Sequence, residues 1–119
     1  MDSNFEERIV SEYNSFFPGL YEKSPSQAWG LHFEDGWVEL FSNLCRNIRE
    51  ADTNNFTFVQ VKEKFGGLRI YFLGGNEKIC QLIKEAEDAS LEICEFCGSR
   101  QNVTRGGIWV KTLCGNCRK

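Results

Sequence analysis

At 119 residues, with 41% hydrophobic and 26% charged residues, the chain is long enough for one domain with a modest core. No apolar run reaches the length of a membrane-spanning helix. The acidic start, Met1 to Glu7, also lacks the apolar stretch of a signal peptide, so the expectation is a cytoplasmic protein whose thiols stay reduced. The net charge of -3 is unevenly spread: residues 1–93 hold 9 Lys/Arg against 16 Asp/Glu, and residues 94–119 hold 5 against 1.

Residues 4–17 are predicted as a first helix, because Phe5, Ile9, Tyr13 and Phe16/Phe17 recur at helical spacing and Pro18-Gly19 ends the run. Residues 18–35 carry Pro18, Gly19, Pro25 and Gly30 among Tyr21, Trp29 and Phe33. They are expected to be irregular, either a connection packed by its own aromatics or a binding loop. Asp35 is placed to cap a second helix over residues 36–50. There Trp37, Leu40, Phe41, Leu44, Cys45 and Ile48 form one apolar stripe.

Residues 57–72 are predicted as a β-hairpin, since β-branched and aromatic residues dominate both arms. If Gly66-Gly67 is the turn, Phe65 pairs with Leu68, Glu63 with Ile70 and Val61 with Phe72. One face is then Val59, Val61, Phe65, Leu68, Ile70 and Phe72, with Glu63 as a polar exception. The other face is basic: Gln60, Lys62, Lys64, Arg69 and Tyr71. Lys64 would lie opposite Arg69, an unfavourable like-charge pair. Either acidic side chains of residues 1–93 or a partner must answer it. Lys62, Lys64, Arg69 and Tyr71 are therefore the candidate partner-binding residues. A third helix follows Gly74-Gly75-Asn76, capped by Asn76, with Ile79, Cys80, Leu82, Ile83, Ala86 and Ile93 on its apolar side.

Cys94-Glu95-Phe96-Cys97 and Cys114-Gly115-Asn116-Cys117 are two C-x2-C pairs with sixteen residues between them. This spacing fits a four-cysteine zinc site, in which both sulfurs of each pair reach one tetrahedral ion. Gly98 and Gly115 suit the tight turns of such knuckles. Between the pairs, residues 103–105 and 108–110 are expected to pair around Gly106-Gly107, the layout of a zinc ribbon. Two disulfides or four free thiols are the alternatives. The first needs an oxidising compartment, and the second leaves a tail almost without a core. One structural zinc per chain is the expectation, because four thiolates leave no position for water. Such a site would carry a charge of about -2, which reduces the basic excess of the tail and weakens any case for strong nucleic-acid binding.

No catalytic residue is assigned. His32, the one histidine, could activate Cys45 or Cys80 only if the fold joined them, and both cysteines lie on apolar stripes as expected for buried small side chains. Gly74-Gly75-Asn76 could cradle a phosphate, but Glu77 opposes it. Glu34, Asp35 and Glu39 could hint at a hard metal, but an acidic first helical turn explains them.

Three stretches resemble a family of small uncharacterised phage and prophage proteins. They are Asp35-Gly36-Trp37 through Leu44-Cys45, Val61-Lys62-Glu63-Lys64-Phe65-Gly66-Gly67-Leu68-Arg69 with the aromatics after it, and Cys94 to Gly98 with Trp109 to Cys114. The likeness covers most of residues 33–117, and residues 1–32 fall outside it. The family pattern often ends in histidine where Cys117 stands, and zinc accepts either ligand. The resemblance implies a phage or mobile-element setting in a bacterial host, and no established activity.

The reading is therefore an α+β fold: two N-terminal helices, a β-hairpin, a third helix and a C-terminal zinc ribbon. Residues 1–93 would form the core and residues 94–119 an appendage packed on it. The expected function is a non-enzymatic interaction protein that binds and modulates a host protein, for instance in defence or transcription. A nucleic-acid-binding accessory protein is the alternative and a cysteine-dependent enzyme the third reading.

Overall fold

The computed structural model describes residues 3–17, 31–51 and 55–118. The architecture is α+β, with three helices, two small sheets and a C-terminal cysteine cluster. Helix α1 (Ser3–Glu12) buries Phe5, Ile9 and Val10. It stops earlier than expected, and a 3-10 turn (Asn14–Phe16) follows. Asn14 and Ser15 favour turns over continued helix. The tighter turn lets consecutive Phe16 and Phe17 both point inward, at 3% and 2% exposure, where an α-helix would splay them apart. Most of the stretch from 18 to 35 lies outside the described residues, including Tyr21 and Trp29. Its end is regular: β1 (Leu31–His32) pairs in parallel with β2 (Thr57–Lys64), and Phe33 is buried.

Asp35–Trp37 forms a second 3-10 turn that leads into α2 (Val38–Glu50), so Asp35 lies inside the turn instead of capping the helix. The α2 stripe is as read: Phe41, Leu44, Cys45 and Ile48 are buried. Trp37 is fully buried and donates its Nε1–H to the Ile93 carbonyl at 3.0 Å, which supplies the partner a buried indole needs.

The hairpin forms from β2 (Thr57–Lys64) and β3 (Gly67–Leu73), the sheet order being β1-β2-β3. Its register is two residues away from the expected one, because the turn starts one residue earlier. Lys64 faces Gly67, Glu63 faces Leu68, Lys62 faces Arg69 and Val61 faces Ile70. The turn residues are Phe65 and Gly66, at φ 53° and 81°. Two contacts favour this slip. Glu63 Oε2 accepts the Gly66 N–H at 2.8 Å, and Thr112 Oγ1 donates to the Gly66 carbonyl at 2.6 Å. Phe65 is thereby 58% exposed, not core. Val59 is also exposed, because an irregularity between Phe58 and Gln60 absorbs it as an extra residue. That bulge allows Phe58 and Val61, three residues apart, to share the buried face.

Helix α3 (Glu77–Ser90) starts at Asn76, whose Oδ1 accepts the Ile79 N–H at 2.9 Å. It packs on both β3 and α2. Its buried stripe is Ile79, Ile83, Ala86 and Ser90, so Cys80 is exposed, contrary to expectation, and Ile93 is buried beyond the helix end. The helix also serves the open edge of β3. Ser90 Oγ accepts the Leu68 N–H at 2.9 Å, and Glu87 Oε2 accepts the Ile70 N–H at 2.9 Å. These outward strand donors would otherwise be unpaired. The core is strongly aromatic: Phe58 contacts Phe16, Phe17, Phe41 and Phe56, with ring centres 4.8–6.1 Å apart. Among the described residues no helix is long and apolar enough to cross a membrane.

Candidate metal centre and the surfaces around it

The C-terminal ribbon pairs β4 (Thr104–Gly106) with β5 (Lys111–Leu113). The second strand lies later than expected, and Ile108 and Trp109 belong to the turn. The reason is the close pairing of the two knuckles with the core. β5 runs directly into Cys114 and places Thr112 against the hairpin turn, which leaves Gly107 to Val110 as the connection.

Both C-x2-C segments fold as tight turns. Gly98 N–H donates to the Cys94 carbonyl and Arg118 N–H to the Cys114 carbonyl, each at 3.0 Å. Gly98 has φ +81°, which suits a residue without Cβ. All four sulfurs of Cys94, Cys97, Cys114 and Cys117 lie within 4.8 Å of one another. Cys97 Sγ and Cys114 Sγ are 3.6 Å apart. A disulfide needs about 2.05 Å. Metal–sulfur bonds of about 2.3 Å in a tetrahedron put sulfurs roughly 3.8 Å apart. The residues therefore fit a metal ion and not a disulfide. Cys94 and Cys114 are buried, whereas Cys97 is exposed.

The thiols share protons unequally. Burial works against the Cys94 thiolate, but hydrogen bonds from the backbone of Cys114, Cys97 and Phe96 outweigh it, and the thiol falls to about 6. Cys117, hydrogen-bonded to Cys94 and Cys114, is pushed up to about 12. Cys94 and Cys114 thus lose their protons more easily than an ordinary thiol, whereas Cys97 and Cys117 hold theirs. A cation that binds all four must displace those protons.

The cluster is fastened to the core by bonds the sequence did not reveal. Gly36 N–H donates to the Glu95 carbonyl at 2.7 Å, and a Cβ on Gly36 would lie 2.0 Å from the Cys94 carbonyl oxygen. Glu95 is buried; its N–H donates to the Thr112 carbonyl at 2.9 Å, and its Oε2 accepts the Thr112 N–H at 2.7 Å. Burial pushes the Glu95 carboxyl up, against the pull of the Thr112 N–H and Lys111. Lys111 Nζ lies 3.5 Å from Glu63 and 3.6 Å from Glu95. Arg105 Nε donates to the Phe65 carbonyl at 2.8 Å, and Arg118 donates to the carbonyls of Gly106 and Lys111.

The basic hairpin face is exposed as expected at Lys64, Arg69 and Tyr71, and partly at Lys62. Lys62 stands opposite Arg69, and its Nζ lies 5.9 Å from the Tyr71 ring centre. Among the described residues no carboxylate forms an ion pair with Lys62, Lys64 or Arg69. Lys64 and Arg69 line a cavity of about 230 Å³ with Arg105, Leu91, Glu87 and Asp88, so the ribbon adds an arginine that sequence reading did not group with them. Ile108 and Trp109 are 98% and 82% exposed. The Gly106-Gly107 pair before them was the available signal for a turn.

Burial pushes the Cys45 thiol well up, the reverse of what a nucleophile requires. His32 is exposed on β1, and Cys80 is exposed on α3. Glu34, Asp35 and Glu39 form no convergent ligand set; among the described residues the four cysteines are the only group that does. Comparison with protein-family models, curated proteins and solved structures finds no match to this chain.

Proposed function

We propose that the chain is a small, non-enzymatic zinc-ribbon protein that binds a protein of a bacterial host and modulates its activity. The observation that carries this reading is the ribbon tip, where Ile108 and Trp109 stand almost fully in solvent. Large apolar side chains held out on a turn add nothing to a core. Tryptophan is among the residues most enriched at binding hot spots. The charges beside the tip favour an acidic partner. Among the described residues Arg105 and Arg118 bond backbone carbonyls and form no ion pair with a carboxylate. Lys62, Lys64, Arg69 and Tyr71 supply a second contact on the same reading.

Zinc is the ion that best suits four thiolates in a tetrahedron, with iron the competitor. Cys94, Cys97, Cys114 and Cys117 would hold it, and its contribution is to fold the ribbon, since no position remains for substrate. The host setting follows from the resemblance of the hairpin and cysteine motifs alone.

Nucleic acid is the second reading, favoured by the unpaired cations of the hairpin face. Capture from bacterial lysate, with and without nuclease, tests the two using native protein and Trp109→Ala. A host protein retained after nuclease and lost with Trp109→Ala is the expected result. Loss of all capture after nuclease would replace the protein partner by nucleic acid.

A further inference from the structure

A cavity of about 350 Å³ opens where β1, the end of β2 and β5 meet, and its polar wall is His32, Glu34, Glu63, Glu95 and Lys111. Glu63 and Glu95 share the one ammonium of the wall, Lys111, so these three groups carry a formal charge of -1. Glu95 is the decisive residue. Its side chain is 1% exposed, its Oε2 is occupied by the Thr112 N–H, and its Oε1 accepts no hydrogen bond. The nearest cation, Lys111 Nζ, is 3.6 Å from that oxygen and is shared with Glu63 Oε1 at 3.5 Å. At such distances one ammonium divides its charge between two carboxylates and satisfies neither closely. A buried carboxylate oxygen without a donor is costly, and it lines an open polar cavity.

We infer that this cavity is a binding site for an organic cation, an alkylammonium or guanidinium group, which donates to Glu95 Oε1 and is held by the charge of Glu63. A metal ion is the poorer fit. It needs several oxygens within about 2.6 Å of one point, and among the described residues only the cysteines converge in that way. A guanidinium spreads five donors over a plane and can reach carboxylates that surround a cavity without meeting. The cation can come from an arginine or lysine side chain of another protein or from a free small amine. The site is separate from the Ile108–Trp109 tip, and its test needs no host partner.

The test is a titration of isotope-labelled, metal-loaded full-length protein, followed by amide chemical shifts at constant ionic strength. The probes are ethylguanidinium, putrescine and the tripeptide Ala-Arg-Ala, with N-ethylurea as the neutral control. Saturable shifts at Leu31, Glu95 and Thr112 with the cations, and none with the urea, are expected. Tighter binding of the peptide than of ethylguanidinium assigns the source to a protein side chain, and tighter binding of putrescine assigns it to a free amine. Glu95→Gln should weaken binding at least tenfold while metal content stays at one ion per chain. Lys111→Met should tighten binding several-fold, because it removes the competing ammonium. An equal response to N-ethylurea, saturation of the same amides by Mg²⁺, or weaker binding by a folded Lys111→Met protein would each overturn the inference.

Discussion

Phe65 occupies a backbone conformation, φ 53°, that a bulky L-residue rarely adopts, and most of its ring lies in solvent. The left-handed region costs such a residue about 1–2 kcal/mol, and asparagine tolerates it far better. Phe65→Asn is therefore expected to stabilise the protein by about 1 kcal/mol, read as a higher urea midpoint with an unchanged slope. A lower midpoint would mean that the exposed ring contributes packing the geometry does not reveal. Gly36 gives the opposite case. An added Cβ meets the backbone oxygens of Cys94 and Glu95 at 2.0 and 2.4 Å, and backbone cannot rotate away as a side chain can. Gly36→Ala should cost about 3 kcal/mol and loosen the first knuckle, seen as faster metal loss to a chelator. The sequence showed a glycine-containing turn and a glycine before Trp37. It did not show why the turn begins at Phe65. That reason is Thr112, 46 residues away, bonded to the Gly66 carbonyl.

Helix stripes and cysteine spacing were legible because they are local, periodic signals. The α2 stripe and the Asn76 cap stand where periodicity put them. Cys80 does not, because α3 buries only a narrow row and gives one of its places to Ser90, a polar residue that periodicity discounts. Ser90 earns that place by accepting the Leu68 N–H, so Ser90→Ala should cost about 1–3 kcal/mol through an unpaired buried donor. Thermal melts would report it, and an unchanged melting temperature would show that β3 finds another partner at its edge. The ribbon failed in detail for a related reason. Its own apolar cluster is Cys94, Leu113 and Cys114 with little around it, so ligands and tertiary bonds, not strand propensity, set its register. Removal of the metal should therefore unfold the ribbon and leave the main core standing. Amide exchange should lose protection in β4 and β5 while β2, β3 and α2 keep theirs. Cys97→Ser should reduce metal content, whereas Cys45→Ala and Cys80→Ala should leave it unchanged.

At the scale of the whole molecule, the charge is segregated in space as well as in sequence. The cations of the ribbon are partly engaged by internal carbonyl bonds, whereas Lys62, Lys64 and Arg69 project from the hairpin and form no ion pair with a carboxylate among the described residues. Lys62 and Arg69 even face each other across the strands, a repulsion that folding alone gives no reason to keep. The triple change of Lys62, Lys64 and Arg69 to Ala should thus leave the melting temperature unchanged or slightly raised, and weaken partner binding. An acidic protein partner would show the loss mainly in the association rate and its salt dependence. A nucleic acid would show it in equilibrium affinity, with three phosphate contacts on duplex DNA giving a slope of roughly -2.7 in log K against log salt. A melting curve beside a salt titration on the same mutant separates these outcomes. A stable mutant that binds with native affinity would reduce the hairpin face to ordinary solvated surface. The partner contact would then rest on Ile108 and Trp109 alone.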